Sequence, residues 1–377
     1  MNSFISEIFL PVIRAAFDLN YERITISDDD YEKLLQIGKK QSILPIIWSG
    51  LKKLGCSEEK INSFEKARLK DTRDFVLRNH FYNTICESLN SKKISYVPLK
   101  GSVLRDLYPE PWMRTSCDID ILVHEYDIDA AITAIEDSTD FRKVKRGFHD
   151  ISFNNKSVHF ELHFSIIENM PDIDRVLLNA WDYTENTGDG YKYIFFPEYQ
   201  IFHVLAHMSY HLRCGGLGIR PFIDLWLLRT RTEYDEKILS QLLEKAGILT
   251  FYEKCCAMLG VWLYGDEYTP ELSALEEYCL AGGVYGSKEI ASAAALRDGK
   301  GLKYFKRRLF ISRTALEGAN PKLKKYPFLL PFFQVKRWFN LKDERKRKRI
   351  AKELNGTLTI SQQKVDSFDN LLKSLGL

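Results

Sequence analysis

The sequence lacks long apolar runs, paired cysteines and low-complexity stretches, and each absence excludes a class of protein. No uninterrupted apolar run approaches the roughly 20 residues that a membrane-spanning helix needs. The apolar opening is interrupted by Glu7 and Arg14 and has no basic segment before it. We therefore interpret it as a core helix and not as a signal peptide. No segment has the low hydrophobicity of a disordered tail.

The seven cysteines are scattered along the chain, and no two of them form a CxxC pair. Their odd number does not suit a disulfide framework, and their spacing does not suit a zinc site. This usage favours reduced thiols, so we expect a cytoplasmic protein.

Hydrophobic patterns divide the 377 residues into four consecutive regions. Residues 1–90 carry helical periodicity, 91–196 alternate strand and helix patterns, and 197–299 are helical again. Residues 300–377 form a basic C-terminal arm. The sequence therefore predicts an α+β fold, in which a small mixed β-sheet core is flanked by N-terminal and C-terminal helical domains.

Charge is distributed unevenly along the chain, although its net value is only +3. Residues 300–352 contain 18 Lys or Arg and three acidic residues, giving +15, so the remaining residues carry −12. We predict that this arm packs partly on the acidic remainder through Phe332, Phe333 and Trp338, leaving Arg345–Arg349 exposed. RNA binding by the arm is the less favoured alternative, and a membrane surface is a further one.

Carboxylates alternate with apolar residues in two strand candidates of region 91–196. In DIDILV, Asp118 and Asp120 project from one face, because residues two apart in a strand point the same way. In SVHFELHF the same rule places Glu161 between His159 and His163, opposite the apolar positions. If the two strands are neighbours, three carboxylates converge, and oxygen ligands of this kind suit Mg²⁺.

The segment Lys100-Gly101-Ser102 precedes this strand and suits phosphate binding. Gly101 lets the backbone approach a phosphate closely, and Ser102 is placed to cap the helical pattern that follows it. Arg114, in the loop before Asp118, could reach a phosphate or orient a carboxylate. Together with the carboxylates these residues predict two-metal phosphoryl transfer.

The order of these motifs resembles that of the DNA polymerase β-like nucleotidyltransferase superfamily: Gly-Ser comes first, then Asp-x-Asp in a hydrophobic strand, then a carboxylate on a later strand. More closely, three segments resemble an uncharacterised bacterial nucleotidyltransferase family: VPLKGSVLRDLYPEPWMRTSCDIDILV, HFELHFSI and HVLAHMSYHL…GLGIRPFIDLWLL. Two features depart from the commonest superfamily pattern. Fifteen residues separate Ser102 from Asp118, and Lys100 stands where many members have glycine.

The resemblance implies transfer of an NMP from an NTP, with ATP favoured, to a hydroxyl or phosphate of an unknown acceptor, which could be a small molecule or a macromolecule. It implies two Mg²⁺ ions, which Mn²⁺ could replace, held by Asp118, Asp120 and Glu161 as catalytic residues. Nucleotide binding falls to Lys100, Gly101, Ser102 and Arg114. The residues expected to line the site are His163, His207, Arg220 and Asp224.

Two rival functions stay open. One is a protein- or tRNA-modifying adenylyltransferase of toxin or antitoxin type. The other is a non-catalytic module that binds a nucleotide or a polymer.

His203, His207 and His211 share one helix face, but no H-E-x-x-H motif accompanies them, which argues against a zinc hydrolase. We expect these histidines to lie at an interface.

Overall fold

A computed structural model describes residues 3–283, 286–297, 310, 313, 316, 317, 320, 322–339 and 360–377. The α+β fold is confirmed: helical segments precede and follow a five-stranded mixed sheet. Among the described helices, none combines the length and the apolar content that a bilayer-spanning segment requires.

The first helical region contains a π-helical turn (Ile5–Phe9), α1 (Leu10–Ala16), α2 (Asp28–Gln41), α3 (Leu44–Lys53) and α4 (Glu58–Ser91). Its boundaries have local causes. Ser27 and Asp30 form a reciprocal capping box that starts α2. Pro45 lies in the first turn of α3, where its missing N–H leaves no hydrogen bond unmade.

The middle region contains three α-helices, the five-stranded sheet and a second sheet of two strands, β6 and β7. The strands are β1 (Tyr96–Pro98), β2 (Asp118–Val123), β3 (Arg142–Arg146), β4 (Asp150–Asn154), β5 (His159–His163), β6 (Thr184–Asn186) and β7 (Tyr193–Phe195). The helices are α5 (Gly101–Leu104), α6 (Ile128–Ser138) and α7 (Pro171–Leu177). The sequence did not predict β6 and β7, because a three-residue strand is too short to show alternation.

The larger sheet has the strand order β1-β2-β5-β4-β3. β2 and β5 run parallel, and every other neighbouring pair is antiparallel. β3 ends the sheet; all but its last residue are exposed, and a register shift separates Lys143 from Lys145. One face of the sheet is apolar and packs on α6 and the second half of α4, through residues such as Ile121 and Phe160.

The second helical region covers the other side of the sheet. Its helices are α8 (Pro197–Cys214), α9 (Arg220–Arg231), α10 (Glu236–Lys245), α11 (Leu249–Leu259), α12 (Pro270–Ala281) and α13 (Lys288–Arg297). They share one core with α1 and α3. The later segments are α14 (Lys322–Lys325), α15 (Leu330–Phe339) and α16 (Gln362–Ser374). α16 joins the main core, where the rings of Phe368 and Tyr278 stack 5.5 Å apart.

The basic arm departs in part from its prediction. Phe332 is 61% exposed, so it does not anchor the arm on the rest of the chain. Phe333 is buried, but it clusters with Leu316 and Leu323 of the same region and not with the main core. The prediction for Arg345–Arg349 falls outside the described residues.

Candidate active site

Acidic side chains of β2 and β5 meet on the face of the sheet opposite α6. The parallel register sets Asp120 beside Glu161, and Asp118 lies two residues earlier on the same face of β2. The side-chain atoms of Asp120, Glu161 and His163 that could ligate a metal all lie within 4.8 Å of one another. Asp118 is not part of this close group, although it lines the same cavity. The structure therefore adds His163 to the cluster expected from the sequence.

Two cations balance the buried Asp120 carboxylate. Asp120 Oδ1 lies 2.9 Å from His163 Nε2 and 3.4 Å from Lys100 Nζ. Burial alone would raise the pKa of Asp120, but Lys100 and the His163 hydrogen bond hold it well below its usual value. Burial would lower the pKa of His163, yet hydrogen bonds to Asp120 and Glu161 raise it to about 9. Lys100 and a protonated His163 therefore both offset the negative charge of Asp120.

Asp118 has the opposite electrostatic character. The neighbouring Asp120 carboxylate raises the pKa of Asp118, and burial adds to this effect. By contrast, a hydrogen bond from His163 lowers the pKa of Glu161. Negative charge at Asp118 is therefore unfavourable in the ion-free protein, and a bound cation would relieve it.

The Lys100-Gly101-Ser102 segment turns sharply between β1 and β2. Lys100 has a φ of 45°, which is uncommon for a residue with a side chain, and it occupies the N-cap position of α5. Ser102 lies inside that helix, so its expected role as the capping residue is wrong. Ser102 is buried and does not line the cavity, whereas Lys100 and Gly101 do.

Arg114 is committed to a buried ion pair. Its Nε and Nη2 each donate a 2.8 Å hydrogen bond to the carboxylate of Asp224 on α9, which also accepts from Tyr108. The geometry is bidentate, and both side chains are less than one tenth exposed. Arg114 thus connects the loop before β2 to the second helical region. It also lines the cavity.

The absence of a side chain at Gly101 makes room for Arg114. A Cβ at this position would lie 2.7 Å from Arg114 Nη1 and 3.1 Å from Ser116 Oγ. The guanidinium of Arg114 cannot move aside freely, because its ion pair with Asp224 fixes it. The sequence interpretation assigned this glycine to phosphate approach, and the structure adds a packing requirement.

We expect Gly101→Ala to lower the free energy of unfolding by about 1–3 kcal/mol, because the new methyl group overpacks a fixed ion pair. Activity should fall together with stability, since the side chains of Arg114 and Ser116 that the methyl group displaces line the cavity. The matched control is Gly147→Ala, whose methyl group would meet the end of the Asp150 side chain, outside the cavity. Urea unfolding of both variants checks the prediction, and equal stability of Gly101→Ala and the wild type would contradict it.

Helix α8 and a loop after β5 form the opposite wall of the cavity. His207 Nδ1 lies 2.7 Å from Glu168 Oε1, and His207 Nε2 lies 2.8 Å from His211 Nε2. Burial lowers the pKa of His207 well below its usual value, and the charge of Lys100 adds to this. A neutral His207 carries a single ring proton, which it can donate to either Glu168 or His211.

The cavity enclosed by these elements has a volume of about 300 Å³. This lies at the lower end of the range for small-molecule sites. The predicted residues that line it are Lys100, Gly101, Arg114, Asp118, Asp120, Glu161, His163, His207, Arg220 and Asp224. Sequence reasoning missed Glu168 and His149, which also line it. Glu168 lies in a loop without periodicity, so no local pattern marks it.

A protein-family model described as "Uncharacterised nucleotidyltransferase" matches residues 27–264. The match covers more than half of the chain and includes every residue that lines the cavity. No curated protein and no solved structure matches the chain significantly.

Proposed function

Because the chain belongs to the uncharacterised nucleotidyltransferase family, it is an enzyme that transfers nucleotidyl groups from a nucleoside triphosphate, and we propose how it does so. The proposed reaction moves an NMP, with ATP the favoured donor, to a hydroxyl or phosphate of an acceptor and releases pyrophosphate. The observation that carries this proposal is the register of β2 and β5, which sets Asp120 beside Glu161 in a cavity that Asp118 and Lys100 also line.

The side chains fit divalent cations. Asp118, Asp120 and Glu161 offer hard carboxylate oxygens, the ligands that Mg²⁺ and Mn²⁺ prefer, and His163 would add a nitrogen ligand only if cation binding displaced its proton. We propose that these residues hold two Mg²⁺ ions. When bound, such ions would neutralise phosphate charge and lower the pKa of the acceptor hydroxyl.

The charged side chains of the cavity bind and orient the substrates. Lys100 Nζ, which lines the cavity and lies 3.4 Å from Asp120 Oδ1, would bind triphosphate oxygens. In the proposed step the acceptor oxygen attacks the α-phosphorus, and the bond between that phosphorus and the pyrophosphate oxygen breaks. The hydroxyl proton passes to Glu161, whose side chain is 27% exposed against 3% for Asp120. A low pKa makes Glu161 a weak base, so the proton then leaves to water.

Labelled nucleotides test the proposal and its rivals together. We expect label from the α-phosphate of one NTP, with Mg²⁺, to enter one fraction of a cell extract. Asp118→Asn should reduce this transfer at least about a thousandfold, since such a loss equals several kcal/mol of transition-state stabilisation. Label in protein or tRNA would favour the toxin-type adenylyltransferase, and label in a small molecule would exclude it.

Two controls make this experiment decisive. Asp129→Asn removes an exposed carboxylate from α6, away from the cavity, and should transfer label like the wild type. EDTA should stop transfer by both proteins. Binding of an NTP without any transfer, at equal affinity in Asp118→Asn, would instead support the non-catalytic binding module and overturn the proposal.

A further inference from the structure

A second cavity, of about 440 Å³, adjoins the first one on the side of α2 and α4. The two cavities share Ser116 and Arg220 in their walls. Among the described residues its wall is mostly polar, with Leu44 as the one large apolar side chain and no aromatic residue. The sharing of Ser116 and Arg220 places this cavity next to Asp118, which lines the first cavity beside them.

Positive charge exceeds negative charge in the second cavity. Lys39, Lys70, Arg78 and Arg220 line it together with two carboxylates, those of Asp71 and Asp74. Lys70 is paired with Asp74 at 3.4 Å. The guanidinium of Arg78 is half-buried and makes no hydrogen bond or close ion pair within the described part of the chain. Burial accordingly lowers the pKa of Arg78, with partial compensation from nearby carboxylates.

Arg220 stands between the two cavities. Its Nη1 donates to the carbonyl oxygen of Thr115 at 2.7 Å, which fixes the side chain. Its Nε is buried and has no partner among the described residues. A buried guanidinium N–H without an acceptor is costly, and an anionic oxygen would satisfy it. Arg78 and Arg220 therefore both have donors available for an anion.

We propose that the second cavity binds the acceptor, and that this acceptor is a phosphorylated sugar whose phosphate contacts Arg78 and Arg220. The inference rests on the proposed nucleotidyl transfer. Arginine binds phosphate oxygens in a forked geometry. Asp71 and Asp74 can accept hydrogen bonds from sugar hydroxyls, and the hydroxyls of Ser42 and Thr115 add further polar contacts.

The same wall argues against a second nucleotide. Nucleobases are commonly bound by stacking on aromatic side chains, and the part of the chain that the structure describes places none in the second cavity. A sugar whose phosphate contacts Arg78 and Arg220 lies next to Ser116 and Arg220, which line both cavities, and therefore lies close to Asp118. A hydroxyl on the Ser116 side of that sugar would face the carboxylates of the first cavity. Two sources share this chemistry: a free sugar phosphate and the terminal ribose of an RNA.

Cys117 provides a reporter inside the second cavity, because it is exposed and lines the wall. The experiment follows alkylation of Cys117 by N-ethylmaleimide with mass spectrometry on the full chain. Cys214 is also exposed and lines neither cavity, so it is an internal control in the same sample. The probes are inorganic phosphate, ribose 5-phosphate, ribose, a short oligoribonucleotide, and ATP with Mg²⁺.

We expect inorganic phosphate and ribose 5-phosphate to slow alkylation of Cys117 but not of Cys214, and ribose to have no effect. Arg78→Met should weaken this protection about tenfold or more, the loss expected for a charge-assisted hydrogen bond. The control is Lys66→Met, an exposed basic residue on the same helix that does not line the cavity. It should be protected like the wild type.

Each remaining outcome is decisive. Protection by the oligoribonucleotide at lower concentration than by ribose 5-phosphate would assign the phosphate site to an RNA end. Absence of protection by phosphate, or equal protection in Arg78→Met, would overturn the proposal. A loss of ATP binding in Arg78→Met would assign the cavity to the nucleotide and overturn it as well. The alkylation assay requires no transfer, so its result is independent of whether the proposed reaction occurs.

Discussion

Asp120→Asn is expected to lower the free energy of unfolding of the ion-free protein by about 3–5 kcal/mol, because it leaves buried cations without their partner. The cations are Lys100 and His163, both within hydrogen-bonding reach of the Asp120 carboxylate. Asp118→Asn, two residues away, is expected to raise the same free energy by about 0.5–2 kcal/mol, because it removes a repelled charge. One chemical change should therefore have opposite effects at adjacent positions on one strand face.

The pH dependence of the two variants should differ for the same reason. The lowered pKa of Asp120 contributes stability that is present above the unfolded pKa and is lost as the pH falls. The raised pKa of Asp118 acts in the other direction, since it favours folding at low pH and opposes folding once the carboxyl ionises. Urea unfolding in EDTA, from neutral to acidic pH, measures both effects. Similar destabilisation by the two substitutions would refute this electrostatic account.

Asp224→Asn is also expected to lower the free energy of unfolding by about 3–5 kcal/mol, because Arg114 loses a buried bidentate partner. Tyr108→Phe removes a single hydrogen bond to the same carboxylate and should cost only about 1 kcal/mol. The double variant Arg114→Met/Asp224→Leu, which removes both charges of this pair, should recover most of the loss. Chemical unfolding of the set measures these differences.

The Asp224 series also links stability to activity. Arg114 lies against Gly101 in the cavity, so the double variant should fold well and still transfer nucleotide poorly. Full activity in that variant would show that the ion pair serves folding alone. Unchanged stability of Asp224→Asn would show that water already satisfies Arg114.

The strand alternation in DIDILV and HFELH is a local property, and it was enough to place Asp118, Asp120 and Glu161 on outward faces. The parallel pairing that sets Asp120 beside Glu161 is not local, because β3 and β4 intervene in the sequence. It could be predicted only through the family resemblance. The bidentate Arg114–Asp224 pair joins residues 110 positions apart, and no spacing rule reveals such a contact.

Residues in irregular segments escaped prediction for a physical reason. Glu168 has no periodic neighbours, and its importance arises only when α8 brings His207 within 2.7 Å of it. Ser102 was expected to cap a helix, but the chain turns at Lys100 and α5 starts at Gly101, two residues before the start that a Ser102 cap would give. Boundaries of this kind depend on tertiary contacts, here the close approach of Arg114 to Gly101.

The composition of β3 affects how the protein behaves when it is crowded. This strand ends the sheet, and one side of its backbone has no neighbouring strand within the described residues. Such an edge can recruit a strand from another molecule. Four of its five residues, in the sequence RKVKR, are basic, and the register shift at Lys143 and Lys145 interrupts its regularity. Two copies approaching edge to edge would therefore repel each other and fail to align, which protects the protein from aggregation at high concentration.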